Sequence, residues 1–237
     1  VQLTRYRKIS RKKKTQYQLV FNVTPFYPQG GGQVGDSGFL QDSKGNRIQI
    51  KDTIKENNQI LHIADELPEN VQADFKAIVD QKHRDQAAKN HTATHLLHQA
   101  LRKILGDHVE QKGSLVHPNY LRFDFSHFSK VDTEQLQEIE DFVNARIKDQ
   151  LQLNEKRNIP YQQAIDEGAT ALFGEKYGDA VRMIAFGQSK ELCGGTHVNN
   201  TASLRLFTIT EETSVASGIR RIEALTDEKA IDHLKGK

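Results

Sequence analysis

The chain has 237 residues, of which 36% are hydrophobic and 27% charged, and its net charge at pH 7 is only +2. This composition is typical of a folded, soluble protein with one large domain or two smaller ones. No apolar run approaches the ~20 residues that are needed to cross a bilayer, and no signal peptide is visible. The single cysteine excludes an internal disulfide, so we expect a cytoplasmic protein.

The start of the chain is strongly basic, with no acidic residue before Asp36. Such a run is either a solvated end or a surface that attracts phosphate backbones without reading their sequence, and the residues leave both open. Because this charged, strand-like sequence opens directly at Val1, we expect the chain to be a piece of a longer protein. The basic cluster consists of Arg5, Arg7, Lys8, Arg11, Lys12, Lys13 and Lys14.

Alternating apolar residues and Gly-rich turns predict about five short strands before residue 81, which is typical of a small β-barrel. These strands are predicted at 17–23, 38–41, 47–52, 59–64 and 71–79. Between the first two, Gly30-Gly31-Gly32-Gln33 is not a P-loop, because no Gly-Lys-Ser/Thr follows. The glycines form either a tight loop between strands or a loop against which the phosphate or ribose of a ligand lies.

The hydrophobic period then becomes helical, and a helix is predicted at 81–105 with Gly106 as its stop. Helices and strands interleave without the regular repeat of a doubly wound sheet, so the fold class is α+β. We predict a small β-barrel at 1–81 and an α+β domain at 82–237 with an antiparallel sheet flanked by helices. The further elements are a loop at 111–115, helices at 132–150 and 161–167, and strands at 120–125, 152–159, 180–186, 203–209 and 219–225.

His91 and His95 lie four residues apart in the predicted helix, so both imidazoles point to the same side. Cys193 and His197 repeat this spacing much later in the chain, across a Gly-Gly bend. Three imidazoles and one thiolate are a donor set that Zn²⁺ prefers, and we predict a zinc site. The alternative is a buried thiol with unrelated histidines. Thr92 stands where a metalloprotease helix carries its catalytic Glu, which argues against a protease.

Five runs of the second part carry a family signature: NHTATHLLH at 90–98, QKGSL at 111–115, LRFDF at 121–125, ELCGGTH at 191–197 and GIRRIEA at 218–224. They resemble the editing domain of alanyl-tRNA synthetase. The segment 24–36 is similar to the barrel that precedes this domain, so the resemblance covers nearly the whole chain. One departure, Pro28-Gln29-Gly30, is closer to the free-standing editing proteins of the family.

The resemblance implies hydrolysis of the ester in seryl- or glycyl-tRNA(Ala), made by mistake for alanyl-tRNA. The partners it implies are the acceptor end of tRNA(Ala) carrying serine or glycine and the rest of the synthetase chain, with neither DNA nor a membrane. No ATP site is visible, so this piece is not expected to activate alanine. Two alternatives stay open: a free-standing editing deacylase, and a zinc-stabilised tRNA-binding module without chemistry, whose Arg220 and Arg221 grip phosphates.

The site residues follow from the same resemblance. His91, His95, Cys193 and His197 match the zinc positions. The candidate catalytic residues are Thr94, which would border the aminoacyl pocket or only pack in the helix, and Gln111 and Ser114, which would contact substrate and attacking water or only form a surface turn. The candidate substrate-binding residues are Gly31, Gly32, Gln33, Gly194, Thr196, Arg220 and Arg221. Four protein ligands fill a tetrahedral zinc, so either one ligand yields on substrate binding or the metal only shapes the pocket. We expect polar groups such as Gln111 to orient the water, with the zinc or a ribose hydroxyl of the substrate as a further aid.

Overall fold

The alternating residues of the first part form strands in a computed structural model that describes residues 1–11, 14–172 and 177–236. Residue contacts divide the chain into two units, Val1–Arg84 and Asp85–Lys237. The division at residue 81 into a barrel and an editing domain stays a prediction. The strands of the first unit are β1 (Leu3–Arg11), β2 (Lys14–Phe21), β3 (Gly38–Gln41), β4 (Arg47–Ile50), β5 (Asp52–Glu56), β6 (Gln59–Ala64) and β7 (Lys76–Val79).

Two antiparallel sheets build this unit, with strand orders β1-β2-β6-β5 and β4-β3-β7. Leu19, Phe26, Leu40 and Ile50 are buried in one core. The chain passes from one sheet to the other where β4 runs into β5, and there Lys51 donates its N–H to the Ile63 carbonyl at 2.8 Å. Closure of these sheets into a barrel stays a prediction.

The glycine run forms a tight turn. Gly30 and Gln33 exchange both backbone hydrogen bonds, at 3.1 and 2.9 Å. Gly31 and Gly32 between them have φ values of +56° and +80°. Two successive residues at positive φ are what a type I′ turn requires, and glycine adopts them without steric cost. The turn by itself therefore explains the glycines.

Part of the basic cluster takes part in the sheet. Arg7 on β1 forms an ion pair with Glu56 on β5 at 2.7 Å and also contacts Gln18 on β2. Lys12 and Lys13 lie outside the described residues, as do the side chains of Arg11 and Lys14. The proposed attraction of phosphate backbones stays a prediction.

The second part contains helices and strands in the order that the sequence predicts, with additions. Helix α1 has the predicted bounds, Gln81–Leu105. Among the described residues, no helix is both long enough and apolar enough to span a membrane. After α1 come β8 (Gln111–His117), β9 (Tyr120–Ser126), α2 (Thr133–Lys148), β10 (Leu153–Pro160), α3 (Tyr161–Asp166), β11 (Ala180–Phe186), β12 (Ser189–Leu192), a short 3₁₀ helix (Thr201–Leu204), β13 (Phe207–Ala216), β14 (Ile219–Thr226) and α4 (Asp227–Lys235).

Two antiparallel sheets again organise this unit, with orders β13-β14-β9-β8 and β10-β11-β12. Antiparallel sheets with helices confirm the α+β class. Leu97 and Leu101 of α1 share a core with Phe123 and Phe125 of β9. Each fully buried side chain of this size contributes about 1.5–3 kcal/mol, so the core fixes α1 against the sheet. In α2, Asp132 caps the helix through a reciprocal hydrogen-bonded pair with Gln135.

Several predicted elements were wrong. The strand predicted at 71–79 is only Lys76–Val79, because Asn70 holds a local turn through its carbonyl and side chain. The strand predicted at 203–209 begins at Phe207, because Asn200 caps the 3₁₀ helix before it. The predicted loop at 111–115 is part of β8, whose pairing with β9 is not visible locally.

A buried histidine joins the strands of the first unit. His62 on β6 is fully buried, with Nδ1 at 3.1 Å from the Leu19 carbonyl and Nε2 at 2.7 Å from Thr24 Oγ1. The edges of the Phe21 and Phe26 rings enclose it. A neutral imidazole satisfies both contacts by donating to Leu19 and accepting from Thr24. Burial lowers the pKa of His62 below its ordinary value.

We expect the stability of the chain to fall as the pH drops below about 6.5, the pKa of an unfolded histidine. The unfolded chain then binds a proton that His62 in the folded state resists until its lowered pKa is reached. Urea unfolding between pH 7.5 and 5 measures this loss, which should be smaller in His62→Gln. His83→Gln, at an exposed position, is the control. Equal pH profiles for wild type and His62→Gln would contradict the assignment.

Candidate metal centre

Four side chains from two distant parts of the chain meet in the second unit. They are His91 and His95 of α1, and Cys193 and His197 of the loop that follows β12. Their ligand atoms all lie within 4.8 Å of one another. Cys193 Sγ is 3.4 Å from His91 Nε2 and 3.3 Å from His197 Nε2. The predicted ligands are therefore gathered in one place.

The separations suit a tetrahedral ion. Zn–S and Zn–N bonds of about 2.3 and 2.0 Å at tetrahedral angles place sulfur and nitrogen about 3.5 Å apart, close to the two Sγ–Nε2 distances. His95 offers a further sign, because its Nδ1 is buried without a hydrogen-bond partner in the part of the chain that the structure describes. A metal cation bound by His95 Nδ1 would give this buried nitrogen a partner. The donor set and its spacing fit zinc.

The three imidazoles are held in the neutral form that binds metals. Burial lowers the pKa of His91 and His197 well below the ordinary value, and the charges of the neighbouring histidines and Arg182 lower it further. Burial also lowers the pKa of His95, although Glu191 acts in the opposite direction. Metal binding therefore does not have to displace protons from these rings near neutral pH.

Arg182 on β11 shapes the loop that carries the thiol. Its Nη1 donates to the carbonyls of Cys193 and Gly195, at 3.1 and 2.5 Å, and its Nε donates to Glu155 at 2.5 Å. The backbone N–H of Gly195 in turn donates to Cys193 Sγ at 3.3 Å. These contacts hold the loop against β11 and support a thiolate.

Glu191 on β12 contacts one of the four predicted ligands, His95, and its helix neighbour His98. Its buried carboxylate lies 3.0 Å from His98 Nδ1 and 3.5 Å from His95 Nε2. Burial alone would raise the pKa of Glu191, but the two histidines outweigh it and the pKa is lowered. A carboxylate behind a ligating histidine fixes the orientation of the ring and raises its basicity.

Thr92 supports the fourth ligand. Its Oγ1 lies 3.1 Å from His197 Nδ1 and accepts the N–H of Val198 at 3.3 Å. The sequence analysis assigned no role to Glu191, Arg182 or Thr92 in holding the ligands. One signal was present, since Glu191 lies two residues before Cys193 and alternate residues of an extended chain share a side.

The structure brings two of the candidate catalytic residues together. Gln111 and Ser114 lie on β8, and Gln111 Nε2 donates to Ser114 Oγ at 3.3 Å. They pair with Phe125 and Phe123 of β9, which face the core shared with α1. Directly opposed residues share one face of a sheet, so Gln111 and Ser114 point to the side where α1 packs. Their contact with a substrate stays a prediction.

Thr94 is buried between the two histidines of α1, and its hydroxyl donates to the Asn90 carbonyl at 2.8 Å. This is the packing arrangement that the sequence left open, and the pocket role stays a prediction. Gly194 is exposed and Thr196 half-buried in the thiol loop. Gly31, Gly32 and Gln33 belong to the type I′ turn of the first unit, and their substrate role is likewise a prediction.

The two arginines of the last run are already paired. Arg220 on β14 binds Glu212 on β13 with two hydrogen bonds of 2.5 and 2.7 Å. Arg221 binds Asp124 on β9 in the same manner, at 2.6 and 2.8 Å. A phosphate would have to compete with these carboxylates, so both side chains serve first as links between strands.

Two family models match the chain. The one described as "Threonyl and Alanyl tRNA synthetase second additional domain" matches residues 181–223, which contain Cys193 and His197. The one described as "tRNA synthetases class II (A)" matches residues 3–104, which contain His91 and His95. Together they define the class, a class II tRNA synthetase with this additional domain.

Relatives of high sequence identity specify which family within this class the chain resembles. The alanine–tRNA ligase of Christiangramia forsetii is 62% identical over 234 residues, which are 98% of this chain and 27% of the relative. That of Flavobacterium psychrophilum is 60% identical over 235 residues, 95% of this chain and 26% of the relative. That of Porphyromonas gingivalis is 51% identical over 225 residues, which are 95% of this chain and 26% of the relative. The chain belongs to the alanyl-tRNA synthetase family, and it spans only about a quarter of the length of these relatives.

We expect the chain to bind one zinc ion and His95→Ala to reduce the bound zinc strongly, because a donor is removed from a set of four. Atomic absorption after dialysis measures the metal content. His233→Ala, a histidine of α4 that is not among the four ligands, is the control. Full zinc content in His95→Ala would show that His95 is not a ligand.

We also expect Glu191→Gln to weaken zinc binding about 10- to 100-fold, because the neutral amide no longer orients His95 and His98. Competition with a chromophoric chelator gives the affinity. Glu138→Gln, an exposed position on α2, is the matched control. If Glu191→Gln and Glu138→Gln bind zinc equally, the carboxylate has no part in holding the ligands.

Proposed function

We propose that this chain is the editing segment of an alanyl-tRNA synthetase and that it hydrolyses the ester of seryl- and glycyl-tRNA(Ala). The observation that carries the proposal is the His91, His95, Cys193 and His197 cluster, held inside the segments that the two synthetase models match. The high identity to alanine–tRNA ligases supports the same assignment.

The need for such a reaction follows from the size of alanine. A pocket for alanine cannot exclude the smaller glycine, and one methyl group gives only about 1–3 kcal/mol of preference. An added hydroxyl, as in serine, is rejected equally poorly by an apolar pocket. A second site that destroys the wrong esters is the physical remedy.

The four ligands would hold Zn²⁺, which would supply a fixed positive charge and a rigid frame to the pocket. Because four protein donors complete a tetrahedral shell, the set has the character of a closed site. The work on the substrate therefore falls to neighbouring side chains of this chain. Gln111, Ser114 and Thr94 are the proposed ones.

Gln111 is suited to orient the attacking water. Its Nε2 is directed to Ser114 Oγ, which leaves Oε1 to accept a hydrogen bond from water. The water adds to the ester carbonyl, the bond to the ribose oxygen breaks, and the ribose hydroxyl leaves with a proton. Ser114 fixes the Gln111 amide so that one orientation is maintained.

Thr94 would line the amino-acid pocket, because it lies on α1 between two metal ligands. Its hydroxyl proton is used by the Asn90 carbonyl, but its oxygen retains lone pairs that can accept from a seryl hydroxyl. Its methyl group would crowd larger side chains. In this proposal Thr94 supplies one acceptor for serine and its methyl group restricts larger side chains.

The proposal also covers the fold of the first unit, the cellular location of the protein and its partners. We propose that β1 to β7 form the small closed barrel of the family, and that the whole acts in the cytoplasm on the acceptor end of tRNA(Ala) as part of a synthetase chain. The exposed residues of the basic cluster, such as Arg5 and Lys8, would attract the tRNA backbone. Gly194 and Thr196 would approach the substrate from the thiol loop.

A zinc-stabilised tRNA-binding module without chemistry is the competing function. The pairing of Arg220 with Glu212 and of Arg221 with Asp124 disfavours it, because those guanidinium groups already have carboxylate partners. A free-standing deacylase would perform the same reaction, but the chain is at least 60% identical to two ligases that are about four times as long, which favours a synthetase segment. Release of serine from seryl-tRNA(Ala) separates catalysis from binding alone.

We expect Gln111→Ala to slow the deacylation of seryl-tRNA(Ala) about 10²-fold, because the water loses its acceptor. The rate is measured as release of labelled serine at saturating enzyme, with zinc content determined in parallel. Gln137→Ala, at an exposed position of α2, should react at the parental rate. Deacylation by Gln111→Ala at that same rate would remove Gln111 from the mechanism, and retention of the ester by the unmodified chain together with tRNA binding would favour the module.

A further inference from the structure

An exposed aromatic surface lies at the end of β9, and the proposed chemistry does not use it. Phe128 is 90% exposed. Its ring lies over Gly218 in the turn between β13 and β14, where an added Cβ would be 3.8 Å from Phe128 Cδ1. The ring of His108 is nearly parallel to that of Phe128, at 20° and 6.2 Å between centroids. His127 continues the series below His108, at 23° and 5.2 Å. We call Phe128, His108 and His127 the ring platform.

Hydrogen bonds fix the platform before any ligand arrives. His108 Nε2 lies 2.9 Å from His127 Nδ1, and Ser129 Oγ lies 3.3 Å from His127 Nε2. The His127 N–H donates to the Gly218 carbonyl at 3.0 Å. Three segments of chain thereby hold one set of parallel rings. A ligand that stacks here would not have to order them.

His127 contributes a neutral ring to this surface. Burial and the neighbouring His108 and Arg220 lower the pKa of His127, so its ring is neutral near pH 7. Arg220 is itself paired with Glu212. A neutral π surface favours a planar aromatic ligand over a phosphate group. The imidazole and hydroxyl groups at the edge of the platform can form hydrogen bonds with the polar edge of such a ligand.

The platform lies close to the proposed catalytic side chain. Phe125, three residues before Phe128, is the direct β-sheet partner of Gln111. Three residues span at most about 11 Å. A single-stranded RNA end whose last ester is at Gln111 therefore has a stacking surface within the reach of its neighbouring nucleotides. Aromatic side chains are what unpaired bases stack upon in RNA-binding proteins.

We propose that an unpaired base of the tRNA acceptor end stacks on the exposed face of Phe128. This inference rests on the proposed function, because that function supplies the RNA. Stacking positions the ester at Gln111 without reading the base, since every base offers a π face. Phe128 thus acts as a positioning residue for the substrate.

The kinetic test is Phe128→Ala in the whole chain. We expect KM for seryl-tRNA(Ala) to rise about tenfold, the effect of one lost base–aromatic stack, with kcat and zinc content unchanged. Phe128→Tyr should restore KM and Phe128→Leu should not, because leucine is apolar without a π face. Val215→Ala, at a 45% exposed apolar position on β13, is the matched control. An unchanged KM in Phe128→Ala, or full rescue by leucine as expected of an apolar protein contact, would overturn the proposal.

A binding test separates this inference from the proposed function. The chain contains no tryptophan, so Phe128→Trp introduces a single tryptophan at the platform, whose emission can be excited selectively over that of the tyrosines. We expect uncharged tRNA(Ala) to quench its fluorescence, and a transcript that lacks the unpaired 3′ nucleotides not to do so. Quenching in this variant, together with no deacylation by the parent chain, would support the stacking and contradict the proposed editing activity. Deacylation without quenching would support the editing activity and overturn the stacking. Quenching by the truncated transcript would also overturn the inference, because the stacked base would then lie outside the acceptor end.

Discussion

The arrangement of the second unit depends on one buried negative charge. The carboxylate of Glu191 lies between His95 and His98 of α1, away from water. A carboxylate that stays buried after losing its partners costs several kcal/mol, so the packed state requires His95 and His98 beside Glu191. Cys193 follows Glu191 by two residues, and the same contact therefore places the thiol beside His91. The metal centre is thus positioned by a buried carboxylate–imidazole contact between strand and helix.

Local periodicity was sufficient for part of this arrangement. Helix α1 has the predicted bounds Gln81–Leu105 because its hydrophobic spacing and its stop at Gly106 are contained in the segment itself. The pairing of His91 with His95 follows from helix geometry for the same reason. The second pair, Cys193 and His197, followed from the same spacing across a Gly-Gly bend, the resemblance to a known family agreed with it, and the structure places all four together.

Contacts between distant segments could not be predicted in this way. Arg182 holds the thiol loop from β11, and Glu191 holds two histidines of α1, yet neither residue stands in a pattern that marks its partner. The assignment of 111–115 to a loop failed because strand β8 is defined by its pairing with β9. Asn70 and Asn200 ended predicted strands through side-chain hydrogen bonds that compete with the sheet.

The thiol that completes the centre is also the only one in the sequence. An oxidised cysteine is normally recovered when a second thiol condenses with the sulfenic acid and the resulting disulfide is reduced. No second thiol is present in these 237 residues, so recovery of an oxidised Cys193 requires a thiol from outside this segment that can enter the half-buried loop. The residue that makes the donor set selective for zinc therefore also ties the integrity of the pocket to the redox state of its surroundings.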